Sequence, residues 1–196
     1  MRAPSRRSAR LHDALCRVPR QLFVASDASV CDPAPLETFA KMLDALELDG
    51  NELVLELGAS SAYEAAVLGQ LARRVVSVVE ERGLAQARQH QLELLGCRNV
   101  NVVHGNIQSG WLAEAPYQAI AVSRAVNELP TTLVDQLDAA GRIVIPLGNR
   151  EAQLLTRFRK QAGALATETL GVCRLAILSD GPRADTPFPW TQASLS

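Results

Sequence analysis

Leu53 to Leu57 form a mostly apolar run that stops at Gly58, passes through Ala59 and Ser60, and gives way to a helical pattern near Ser61. That order of buried parallel strand, tight turn and helix start points to an open α/β sheet. In such sheets the turn after the strand is where a nucleotide-like ligand binds, because backbone N–H groups and the helix dipole meet the ligand there. Small residues at a strand–helix turn also serve close packing, so the turn alone leaves both readings open. A nicotinamide-type G-x-G-x-x-G is absent.

The rest of the chain repeats the alternation. A first helix carries the stripe Leu11, Ala14, Leu15 and Val18 and ends near Val18-Pro19, since a residue before proline avoids the helical region. Ala25 to Pro35 reads as irregular. Leu36, Phe39, Ala40, Leu43 and Leu46 space as an amphipathic helix that stops at Asp49-Gly50. After the central turn come a helix through Leu71, a Val-rich strand from Arg74 to Val79, and a helix from Glu80-Glu81 to Leu95. Asn99 to His104 and Tyr117 to Ser123 are further strands. Pro130 starts a helix that continues through Leu133 and Leu137 to Gly141, and Ile143 to Leu147 is a fifth strand. Strands alternating with helices imply right-handed crossovers and a mostly parallel, doubly wound sheet. Ala152 to Arg159 and Thr167 to Leu178 have no helix between them and read as an antiparallel hairpin at the sheet edge.

Composition excludes several classes. With 196 residues, 47% hydrophobic and a net charge of −1, the chain suits one domain spanning residues 1–196. Residues 1–10 form a basic end and residues 180–196 an irregular tail. The near-zero charge argues against a broad nucleic-acid footprint. No apolar run is long enough for a membrane span, and a cytoplasmic location is expected. Arg2, Arg6, Arg7 and Arg10 could belong to a transit peptide, but the helical stripe that follows favours a basic lead-in to a helix. Cys16, Cys31, Cys97 and Cys173 lack a C-x-x-C spacing, so neither a zinc site nor a disulfide framework is expected and no metal is assigned.

Candidate ligand residues lie at the strand ends. A carboxylate that accepts both ribose hydroxyls is expected at the end of the second strand, where this chain has Val79 and then Glu80. Glu80 serves as that acid only if the strand end slips by one residue, which reverses the face its side chain takes; otherwise it is a solvated acid at a helix start. Asn106, after His104-Gly105, can hydrogen-bond a base edge or shape a turn. Ser60 or Ser61 can cap the following helix.

Together these segments resemble the protein-L-isoaspartate O-methyltransferases. Val18-Pro19-Arg20-Gln21-Leu22-Phe23-Val24 is similar to that family's N-terminal signature. Leu55-Glu56-Leu57-Gly58, followed by Tyr63-Glu64-Ala65-Ala66-Val67-Leu68, resembles its first S-adenosylmethionine (AdoMet) motif. Arg74 to Val78, His104-Gly105-Asn106 with Gly110-Trp111, Ala115-Pro116-Tyr117, Glu128-Leu129-Pro130 and Gly141 to Gly148 follow in the family's order. The resemblance covers roughly residues 11 to 178. It implies a class I AdoMet-dependent methyltransferase sheet, AdoMet as cofactor, and a protein or peptide carboxyl group as acceptor. The residues expected around the cofactor are Glu56, Gly58, Ala59, Ser60, Tyr63, Glu80 and Asn106. No catalytic residue is assigned, and the oligomeric state is left open.

Departures from the family pattern gather at functional positions. Ser60 and Ala62 stand where the family has glycines, Val79 where it has the ribose acid, Asn106 where it has an aspartate, and Gln118 where an acid follows the aromatic. The family's Gly-rich substrate loop precedes the Leu36 helix, and Ala25 to Pro35 is too short to hold it. Ser26, Ser29 and Thr38 are nearby but match none of that loop. A hydrogen bond to a charged group contributes roughly 1.5–3 kcal/mol, so loss of the ribose carboxylate weakens binding by roughly 10- to 100-fold. Isoaspartyl activity is therefore expected to be weak or absent. The alternative is a non-catalytic homologue acting as a binding or regulatory protein.

Overall fold

A computed structural model describes residues 6–24, 34–161 and 163–178. The irregular segment expected before the Leu36 helix lies outside them, apart from Ala34 and Pro35, and the tail from Asp180 lies outside them entirely. The elements run α1 (Arg6–Arg17), α2 (Gln21–Val24), α3 (Leu36–Ala45), β1 (Leu53–Leu57), α4 (Ala62–Leu71), β2 (Arg74–Val79), α5 (Arg82–Leu94) and β3 (Val100–His104). After β3 come two single-turn segments (Ile107–Ser109 and Leu112–Glu114), β4 (Tyr117–Val122), α6 (Thr131–Asp135), β5 (Leu137–Gly148), β6 (Gln153–Gln161) and β7 (Ala164–Cys173).

The seven strands form one sheet in the order β3-β2-β1-β4-β5-β6-β7. The first five pair parallel, and β6 and β7 add an antiparallel hairpin at the edge. Period-2 alternation divides each inner strand between two cores. Val54, Val75, Ala119 and Val144 face the layer of α1, α3 and α4. Leu55, Leu57, Val76, Ile120 and Ile143 face the other side, against Ile107, Leu133 and Trp111. Both faces being covered explains why β1 and β2 read as near-continuous apolar runs.

The edge strand expected from Thr167 to Leu178 lies at Ala164–Cys173, since Ala176 and Leu178 bond to Ala125 instead, and two further elements depart from the sequence expectation. The helix expected from Pro130 through Leu137 spans only Thr131–Asp135, with Pro130 as its N-cap, and Leu137 already belongs to β5. The cause is Gln136, a buried side chain captured by a distant loop. Its Nε2 donates to the Ser109 carbonyl at 2.7 Å, and its Oε1 accepts from the Trp111 N–H at 2.8 Å. Its own carbonyl receives the Tyr117 N–H at 2.9 Å, which starts the β4–β5 ladder. Gly141 then lies where β5 is irregular against β4, and a Cβ there would sit 2.7 Å from Leu137 Cγ. The second of these is α3, which ends at Ala45 before Asp49-Gly50 is reached. Glu47 turns to φ 49° there, with its carboxylate held by Arg157 at 2.8 Å and Arg159 at 2.5 Å.

Candidate cofactor cleft

The carboxyl ends of β1, β2, β3 and β4 present Gly58, Val79 with Glu80, His104 with Asn106, and Ser123 with Arg124 along one edge of the sheet. Gly58 takes φ 78°, a conformation that a side chain would strain, and so β1 turns directly into the loop before α4.

Three buried side chains hold this turn from inside. Glu56 points to the helix side of β1, where the parallel register sets Ser77 opposite it. Its carboxyl accepts the Ser77 hydroxyl at 2.5 Å and the Ala59 N–H at 2.8 Å. Complete burial pushes its pKa up to about 7, helped by repulsion from Glu64, while the Ser77 bond, Arg88 and the Ala59 N–H oppose the rise. Arg88, from α5, donates to the Ala59 carbonyl at 3.1 Å and to the Ser60 carbonyl at 2.7 Å. Glu64, from the first turn of α4, accepts the Ser60 hydroxyl at 2.8 Å and the Ser61 hydroxyl at 3.0 Å. Ser61 is the N-cap, with a capping box closed through Glu64.

The expected cofactor residues do not all share this turn. Glu56, Gly58, Ala59 and Ser60 form it. Tyr63 is buried in the helical layer, where its ring centroid lies 5.8 Å from that of Phe23 and 5.9 Å from that of Phe39. The Arg20 guanidinium stands 5.8 Å above the same ring. Glu80 is exposed immediately past β2, beside the buried Val79. Asn106 is exposed, and its Oδ1 accepts the Gln108 N–H at 2.7 Å as N-cap of the short turn that follows. His104 is also exposed. Gln118 lies at the opposite end of the sheet, accepting from the Leu53 N–H at 2.9 Å and donating to Asp138 at 3.1 Å. That departure from the family pattern therefore lies away from the cleft. Ser26 and Ser29 lie outside the described residues, and Thr38 is half-buried within α3. Among the described residues, no group of three His, Cys, Asp or Glu side chains is placed to hold a metal ion.

Sequence reasoning missed two arginines. Arg88 lies on the buried stripe Ala85, Arg88, Leu92 of α5, and a lone arginine in an apolar stripe was the available signal. Arg124 follows β4 between the apolar Ala119 to Val122 and Ala125-Val126, and is only 5% exposed. Its methylene stem lies across Gly58: a Cβ on that glycine would sit 2.9 Å from Arg124 Cγ and 3.3 Å from its Cδ.

The backbone of the turn thus suits close approach by a nucleoside ligand, and Glu80 and Asn106 stand at the neighbouring strand ends. The fit is incomplete at Val79, whose side chain cannot accept a hydrogen bond, and at Arg124, whose stem lies over the glycine.

Comparison with known proteins agrees with this architecture. The sequence model described as Protein-L-isoaspartate(D-aspartate) O-methyltransferase matches residues 4–182. A protein-L-isoaspartate O-methyltransferase of Geobacter metallireducens is 39% identical over 183 residues, covering 86% of this chain and 85% of that protein. One of Syntrophus aciditrophicus is 37% identical over 185 residues, with 86% and 85% covered. A solved protein-L-isoaspartate O-methyltransferase superposes with a TM-score of 0.75 at 25% identity, covering 87% of this chain and 61% of that one. A Plasmodium falciparum structure described in the same terms, solved with S-adenosyl-L-homocysteine, gives 0.70 at 18% identity over 86% of this chain and 89% of that one, a likeness of fold. The doubly wound sheet with its antiparallel edge hairpin is of the class I AdoMet-dependent methyltransferase type, and the chain belongs to the protein-L-isoaspartate(D-aspartate) O-methyltransferase family.

Proposed function

We propose that this chain binds AdoMet at the Gly58 turn and directs methyl transfer to a carboxylate of a protein or peptide, with isoaspartyl turnover weak or absent. The observation that carries the reading is the turn itself in a chain of this family: Gly58 at φ 78°, with Ala59 and Ser60 held from behind by Glu56 and Arg88.

When bound, the donor supplies a methyl group on a sulfonium, whose sulfur leaves as a neutral thioether and needs no acid. An acceptor carboxylate is already ionised at neutral pH and needs no base. The protein's task is positioning and exclusion of water. Glu56, Gly58, Ala59 and Ser60 shape the floor of the cleft. Glu80 offers two acceptor oxygens at the end of β2, suited to ribose hydroxyls. Asn106 keeps its Nδ2 for donation to a base edge, since its Oδ1 is taken by Gln108. Tyr63 supports the first turn of α4 from the Phe23 and Phe39 side. A cytoplasmic location is part of the same proposal; separately, among the described residues no helix is long and apolar enough to cross a membrane.

The weak-activity part rests on Val79 in place of a ribose acid and on the Arg124 stem over Gly58. The same two features favour the second reading, a non-catalytic homologue that acts by binding a partner. Titration calorimetry with AdoMet and S-adenosylhomocysteine, paired with labelled methyl transfer to an isoaspartyl peptide, separates these. Saturable binding with slow transfer is expected. Turnover on the order of 1 s⁻¹ or above overturns the weak-activity reading, and no binding at millimolar ligand favours the non-catalytic one.

A further inference from the structure

Arg124 is anchored by its backbone on both sides. The Ser123 N–H donates to the Leu57 carbonyl at 2.9 Å, which continues the β1–β4 ladder by one residue. The Ala125 N–H donates to the Ala176 carbonyl at 2.8 Å, and the Ala125 carbonyl receives the Leu178 N–H at 2.9 Å. Val126 is tied in the same way to Pro146 at 3.1 Å and to Gly148 at 2.8 Å. The main chain at residue 124 therefore has no freedom to withdraw from β1, and what lies over Gly58 is decided by the side chain alone. That side chain covers the glycine with its methylenes and is almost wholly withdrawn from solvent, an unusual state for an arginine. A glycine at a strand–helix turn serves a ligand because nothing projects from its Cα. Here the surface opened by the missing Cβ is filled by another residue of the same chain.

We propose that Arg124 is a steric gate on the cofactor cleft: its stem must rotate away from Gly58 before a nucleoside ligand can reach the turn. This rests on the cofactor reading of the turn given above. The block is the stem and not the charge, because the atoms nearest Gly58 are Cγ, Cδ and Cβ. The gate therefore acts equally on AdoMet, whose sulfur is cationic, and on S-adenosylhomocysteine, whose sulfur is neutral.

The test is calorimetric titration of the purified chain and of Arg124→Ala and Arg124→Met with S-adenosylhomocysteine and with AdoMet. Circular dichroism checks that each variant is folded. The expected result is that Arg124→Ala binds both ligands about tenfold tighter or more, while Arg124→Met, which keeps an unbranched stem, binds like the parent chain. Equal affinity of Arg124→Ala and parent, or weaker binding by Arg124→Ala, overturns the gate and leaves the cofactor reading standing. Arg124→Met binding as tightly as Arg124→Ala overturns the role of the stem. No binding by any of the three at millimolar ligand overturns both the gate and the cofactor reading. An independent readout on the parent chain is labelling of arginines by phenylglyoxal, followed by peptide mass mapping. Labelling of Arg124 should rise when S-adenosylhomocysteine is added, and unchanged or reduced labelling counts against the gate.

Discussion

At the N-terminal end of β1, the Glu52 carboxylate accepts the Asp49 and Gly50 N–H groups and pairs with Arg142 at 3.0 Å. At the C-terminal end of the same strand, the Glu56 carboxyl accepts a serine hydroxyl and one backbone N–H. Arg88, which reaches the turn from α5, donates to the Ala59 and Ser60 carbonyls. The first end is closed by formal ion pairs, reinforced by Glu47 with Arg157 and Arg159. The second is closed by hydrogen bonds around a carboxyl group whose pKa burial pushes up to about 7. The difference follows from what each end must do. The N-terminal end only joins α3 to β5 and β6, and a fixed charge network suits it. At the C-terminal end Glu56 and Arg88 fasten the turn from behind, and its outer side carries the Arg124 stem across Gly58.

The largest effect is expected from breaking the charged end. Arg142→Ala strands the buried Glu52 carboxylate and removes donors from the Leu46 and Glu47 carbonyls. Denaturant titration should show a loss of about 3–5 kcal/mol. A loss below about 1 kcal/mol would mean that the ion pair is not what holds this corner. Arg88→Ala should cost less, about 2–3 kcal/mol, because the Ala59 and Ser60 carbonyls that it serves carry no formal charge. It should also weaken S-adenosylhomocysteine binding, since the turn loses its backing; unchanged affinity would detach Arg88 from the cleft.

The smallest effect is a difference in pH response. The unfolded chain gives up the Glu56 proton near 4.5, whereas the native state keeps it to about 7. The native state therefore holds more protons in that window, and the contribution of Glu56 to stability falls as pH rises through 7. Glu47 behaves in the opposite sense. Burial would raise its pKa, but the Arg159 and Arg157 contacts more than offset this and lower it, so its contribution is lost as pH falls. Glu56→Gln should flatten the decline between pH 5 and pH 8 by on the order of 1–2 kcal/mol, read from thermal midpoints. A variant with the same slope as the parent would show that Glu56 does not carry the effect.

What was legible in the sequence was what neighbours in sequence decide. Leu53–Leu57 and Arg74–Val79 match the expected strands residue for residue, because their apolar runs are bounded by a glycine and by acids. The N-cap was narrowed to Ser60 or Ser61, and Glu64 selects Ser61 by completing the capping box. The misread helix after Pro130 failed because Gln136 takes its partners from residues 109 and 111, a connection no local pattern carries. The two arginines of the cleft escaped for the same reason: Arg88 meets the turn from α5, and Arg124 meets it across the β1–β4 ladder. Tyr63 sat within a motif segment, yet its direction along α4 was set by packing against Phe23 and Phe39.

The stitching of Ser123, Ala125 and Val126 to three separate stretches of backbone has a consequence for how this protein can change over generations. A point mutation at codon 124 alters the room above Gly58 while every main-chain bond around it persists. Because those bonds are made by the main chain, none of them is lost when the side chain at position 124 is exchanged for another.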